Sequence, residues 1–82
     1  MANIKGQYNR ALQIAYFILE GGHLVSDVCQ EFRISHDTFQ RDMKLLATYG
    51  YDEELKRNRV LYIKVKTALH TEDLKRRKMK RG

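Results

Sequence analysis

Eighty-two residues, 43% of them hydrophobic, suffice for one small core and leave no room among them for a second catalytic or sensory domain. One cysteine excludes an intrachain disulfide framework, no apolar run approaches the roughly 18 residues of a membrane span, and no signal-peptide pattern is present. A soluble, cytoplasmic and nucleoid-associated protein is therefore expected. The net charge of +6 is uneven: residues 1–71 carry +2 and the last eleven carry +4. A basic end of this kind suits a nucleic-acid partner, with a merely solvated terminus as the alternative.

In chain order, residues 7–20 (QYNRALQIAYFILE) place Ala11, Leu12, Ala15, Ile18 and Leu19 at helical spacing, with Ile14 beside them. Gly21-Gly22 closes this first helix, because glycine takes the left-handed conformation at little cost. After a short extended piece, Ser26 and Asp27 supply cap oxygens for a second helix of about residues 26–32, with Val28, Cys29 and Phe32 facing inward. Ser35 caps a third helix, from about His36 to Tyr49. With Phe39 as origin and about 100° per residue, Met43 and Leu46 fall within about 40° of it and face the core. Asp37, Gln40, Arg41 and Lys44 fall on the opposite side, between about 100° and 200°. Two short helices, a tight turn and a polar second helix form the helix-turn-helix pattern, in which the second helix lies in the DNA major groove.

After Gly50 the period changes. Leu61, Ile63 and Val65 alternate with Tyr62, Lys64 and Lys66, so residues 51–55 and 59–66 read as strands joined by the basic tip Lys56-Arg57-Asn58. The expected fold is mainly α with a small β-hairpin: a winged helix-turn-helix of three helices plus wing over residues 1–70. Residues 71–82 then form a basic tail, with Thr71, Glu72 and Asp73 suited to open a further helix.

The segment VSDVCQEFRISHDTFQRDMKLL resembles the amino-terminal domain of the DeoR-type bacterial repressors. Val25, Val28, Phe32, Ile34, Ser35, Thr38, Phe39, Arg41, Asp42 and Met43 stand at matching or closely equivalent positions. The likeness is close over the second and third helices and compatible with roughly residues 7–66. It implies a winged helix-turn-helix and DNA binding. Four departures qualify the target. Arg33 replaces the turn glycine, which carries strain if the backbone there needs a positive φ. Gln40 replaces the first of two paired arginines and offers an amide suited to adenine. Asp52, Glu53 and Glu54 enter the expected hairpin, where Lys64 or Lys66 would pair with them. The family's sugar-phosphate-sensing domain is missing, which implies no small-molecule effector and the character of a small bacterial, phage or plasmid regulator.

The expected function is sequence-specific binding of double-stranded DNA in transcriptional regulation. Base contacts are assigned to Gln40, Lys44, Thr38 and His36, and phosphate contacts to Arg41, to Lys56, Arg57 and Arg59 at the wing, and to Lys75, Arg76, Arg77 and Lys78 in the tail. Asp37 is assigned a capping or orienting role and Asp42 a structural ion pair. A homodimer and a protein partner in transcription remain open. The rival readings are a winged-helix adaptor or anti-repressor, favoured by the Asp52-Glu53-Glu54 run, and an architectural DNA-binding protein. Catalysis finds no support: His23, His36 and His70 are far apart in the chain, Cys29 faces inward, and neither a Gly-rich phosphate loop nor metal-ligand spacing occurs. No enzyme, cofactor or metal is expected.

Overall fold

The computed structural model describes the backbone of residues 4–49 and 53–81, with side chains for residues 6–49 and 55–77. Four helices occur among the described residues: α1 (Ile4–Leu19), α2 (Val25–Phe32), α3 (His36–Thr48) and α4 (Glu53–Arg81). No strand occurs among the described residues.

The ends of the first three helices follow from local chemistry. Gly21 and Gly22 adopt φ of 101° and 75° and terminate α1. α2 begins one residue before the expected Ser26, with Leu24 at its cap. Leucine has no acceptor to offer, and the bond instead runs backward: the Leu24 amide donates to Asp27 Oδ2 at 2.8 Å. α2 closes on Arg33 in the left-handed region at φ 53°, and the Ile34 amide donates to the Cys29 carbonyl at 3.0 Å. That pattern is the Schellman closure usually made with glycine. α3 starts where Ser35 Oγ accepts from the Thr38 amide at 3.1 Å.

The core forms where α1, α3 and α4 meet, with α2 closing one end. α1 buries Ala11, Ile14, Ala15 and Ile18, α2 buries Val28, α3 buries Phe39, Met43 and Leu46, and α4 buries Val65. Asp42 is almost fully buried among them and takes both prongs of the Arg10 guanidinium, Nε at 2.6 Å and Nη2 at 3.0 Å. This forked pair fixes α3 against α1, and the hydrogen bond that Arg10 donates to Asp42 raises the Arg10 pKa above its ordinary value. Asp42 thus forms the structural ion pair expected of it.

The wing is absent. Residues 53–66, expected to hold most of a β-hairpin, are the first half of the 29-residue α4, and Lys56-Arg57-Asn58 is helix rather than a hairpin tip. Asn58 is buried; its amide nitrogen donates to the Tyr49 carbonyl at 3.2 Å and to the Tyr8 hydroxyl. The alternation of Leu61, Ile63 and Val65 proved deceptive. In the helix, Val65 is buried, Leu61, Tyr62, Ala68 and Leu69 pack beside it, and Ile63 is left 62% exposed. No glycine or proline falls between residues 51 and 81, so nothing interrupts the helix, and the acidic pair Glu53-Glu54 favours its amino end. Without a hairpin there is no cross-strand pairing of Lys64 or Lys66. Tyr51, Asp52 and the side chains of Glu53 and Glu54 lie outside the described residues.

At about 1.5 Å per residue, α4 is about 43 Å long and runs nearly the whole 46 Å length of the molecule. It lies alongside α1 in the same direction: Asn58 meets Tyr8 near the start of α1, and Arg76 meets Gly22 just past its end. The expected boundary between a domain and a tail at residue 70 is crossed by continuous helix.

Candidate nucleic-acid interface

α3 is held from three sides. Ser35 fixes its start, Asp42 anchors its middle to Arg10, and Phe39, Met43 and Leu46 bury its inner stripe. What remains outward is the arc with Asp37, Gln40, Arg41 and Lys44, all exposed. None of these four is hydrogen-bonded or ion-paired to another described side chain. The arc offers an amide able to donate and accept, two cations and one carboxylate.

The other two residues assigned to bases sit differently. His36 is exposed at the first turn, its ring tilted beside Phe39 with centroids 6.3 Å apart. Thr38 is half-buried, and its Oγ1 lies 2.9 Å from Ser35 Oγ within the cap. About 160° of helix turn separates Thr38 from Gln40, so Thr38 lies on the Asp42 side of α3 and outside the outward arc.

The cations assigned to a wing are divided by α4. Measured from buried Val65, Arg59 and Lys66 lie about 100–120° round the helix on one flank, whereas Arg57 and Lys64 lie about 80–100° round on the other. Lys66 belongs to the α3 flank: with Gln40 and Lys44 it borders a groove of about 330 Å³ floored by Phe39, Met43 and Leu69. The Lys66 ammonium stands 5.5 Å from the centre of the Tyr62 ring, a cation–π arrangement that orients it. No carboxylate occurs among the described residues lining that groove. Lys56, Arg57 and Lys64 instead border a separate groove with Tyr16 and Leu19 of α1. Sequence reasoning missed Lys66 because it was placed in a strand; its spacing of seven from Arg59 is the signal that a helical reading would have used.

The tail cations are the last turns of α4, and the three with described side chains are engaged. Arg76 Nη2 donates to the Gly22 carbonyl at 2.8 Å and lies 3.2 Å from Asp27 Oδ2. Arg77 pairs with Asp73 at 3.2 Å, and Lys75 lies 4.0 Å from Glu72. The Asp27 carboxylate therefore ties the start of α2 to the end of α4. Such exposed pairs are weak. The side chains of Lys78, Lys80 and Arg81 lie outside the described residues.

The remaining chemistry-bearing groups have structural settings. His23 stacks on Phe17 with centroids 3.9 Å apart, and burial pushes the Cys29 thiol pKa up, disfavouring the thiolate. No cluster of metal-ligating side chains occurs among the described residues, and no helix among them is long and apolar enough to cross a membrane. Comparison with protein-family models, characterised proteins and solved structures found no match for this chain.

Proposed function

We propose that this chain is a sequence-specific double-stranded DNA-binding protein acting in transcriptional regulation, with α3 as the helix that enters the major groove. The observation that carries this reading is the exposed arc of α3, where Gln40, Arg41 and Lys44 project from a helix fixed on its other sides. The resemblance of residues 25–46 to the DeoR-type repressors supports it, although the wing of that family does not form among the described residues. Gln40 and Lys44 read base edges, the glutamine amide matching the paired acceptor and donor of adenine. Arg41 holds a phosphate.

α4 takes over the task of the wing. Packed helices lie about 8–10 Å apart and the major groove is about 12 Å wide, so a helix seated in the groove carries its packed neighbour over a phosphate ridge. The side of α4 beside α3 presents Lys66 and, two turns earlier, Arg59. These two supply sequence-independent attraction, and the far end of α4 adds more once its exposed ion pairs exchange carboxylate for phosphate.

The test is a mobility-shift selection from a random-sequence pool, repeated across salt concentrations. Enrichment of a motif is expected. Salt-sensitive binding without a motif would replace regulation by an architectural role, and absence of binding would leave a protein adaptor. Replacing Gln40 and Lys44 with alanine should erode discrimination between the selected site and random DNA. Equal losses on both DNAs would remove base reading from α3.

A further inference from the structure

The flank of α4 turned away from α3 carries a second surface that DNA binding through α3 leaves unused. α1 and α4 run side by side in the same direction, and between them lies an open groove of about 540 Å³. Its apolar part is made by Tyr16, Leu19 and Val60, which are 58%, 38% and 52% exposed. Ile63, 62% exposed, continues the apolar strip less than one turn along α4. Its rim carries Lys56, Arg57 and Lys64, with no carboxylate among the described lining residues. None of the three is ion-paired within the described structure.

We propose that this groove docks an acidic amphipathic helix of a partner protein. Two properties select that occupant together. Exposed large apolar side chains gathered in one strip mark an interaction surface, and a phosphate backbone would leave them wet. Three cations around the strip, none of them ion-paired among the described residues, disfavour a basic partner and match a row of carboxylates. The trough between two adjacent helices has the shape that receives a third, anchored through apolar residues at i, i+3, i+4 and i+7. Anchors settle on Tyr16, Leu19 and Val60 while flanking carboxylates reach Lys56, Arg57 and Lys64. The surface is independent of base reading, since Lys64 and Lys66 stand on opposite flanks of α4.

The experiment uses the full chain and a synthetic 16-residue helical peptide with leucines at those spacings and glutamates on both flanks. Control peptides carry glutamine or lysine in place of the glutamates. Amide chemical shifts of the isotope-labelled protein should move in one cluster at residues 16, 19, 56, 57, 60 and 64, and saturate. The glutamine peptide and the Lys56→Gln/Lys64→Gln variant should each lose about tenfold in affinity, individual exposed pairs being weak. Affinity of that variant for the selected DNA should change less than about twofold. Val60→Ser, which keeps every charge, should weaken the peptide as well. Equal binding of the acidic and glutamine peptides, shifts scattered over the surface or centred on Gln40 and Lys44, or no saturable binding would overturn the proposal. So would shifts at the groove that grow with protein concentration alone, which would make its occupant a second copy of the chain. A parallel loss of DNA affinity in Lys56→Gln/Lys64→Gln would assign the groove to nucleic acid.

Discussion

The two flanks of α4 are built from the same few residue types and differ in what lies beside them. On the α3 flank, Lys66 is steadied over Tyr62 and shares a groove with Gln40 and Lys44. On the α1 flank, Lys56, Arg57 and Lys64 surround exposed Tyr16, Leu19 and Val60. One set of cations adjoins a polar, outward helix face, and the other adjoins an apolar strip. Charge counted along the chain cannot separate them, because Lys64 and Lys66 are only two residues apart. On a helix two residues are about 200° apart, and that rotation places them in different grooves.

The division rests first on α4 being one unbroken helix. Thr67→Pro, at an exposed mid-helix position, should therefore cost at least about 3 kcal/mol, measured by urea unfolding with far-ultraviolet circular dichroism. A neutral outcome would return residues 59–66 to an extended conformation and dissolve both flanks. The frame that orients α1 and α3 is the next largest effect. Asp42→Ala removes a buried carboxylate from the Arg10 fork and should destabilise the fold by about 2 kcal/mol. Retained stability would mean that apolar packing alone sets the angle between these helices.

The contrast itself is sharpened by single cations on DNA. Arg59→Ala and Lys66→Ala should each weaken selected and random DNA alike and flatten the slope of log affinity against log salt by about 0.9. Lys56→Ala and Arg57→Ala should leave the slope unchanged; the opposite pattern would exchange the roles of the two flanks. The smallest expected effect lies in the turn that aims α3. Arg33 holds a left-handed conformation at φ 53°, so Arg33→Gly should gain about 0.5–1 kcal/mol of stability. No gain would show that arginine contacts offset the backbone strain.

How much of this was legible follows the range of the interactions. The closure of α1 at Gly21-Gly22, the Ser35 cap, the strained position of Arg33 and the inner stripe Phe39, Met43 and Leu46 depend on neighbours within about one helical turn. Each of them can be read from sequence. The polar arc of α3 follows from the same periodicity. In residues 51–66 the local pattern admitted two periods, because Leu61 and Val65 satisfy alternation and helical spacing equally well. Asn58 beneath Tyr8 and Tyr49, and Tyr62 and Leu69 against α3, settle the choice through partners distant in the chain. The continuous run without glycine or proline was the sequence signal that pointed the same way.

Sequence by itself thus determined the α2–turn–α3 unit and its outward residues, since capping, turn conformation and helical phase are local and act before the chain packs. Only the tertiary structure decided that the second half is a helix, that α4 flanks α3 where a wing was expected, and that the cations divide between two surfaces. The physical reason is that an ambiguous segment takes the period that buries its apolar residues, and that burial exists only once α1 and α3 are in place.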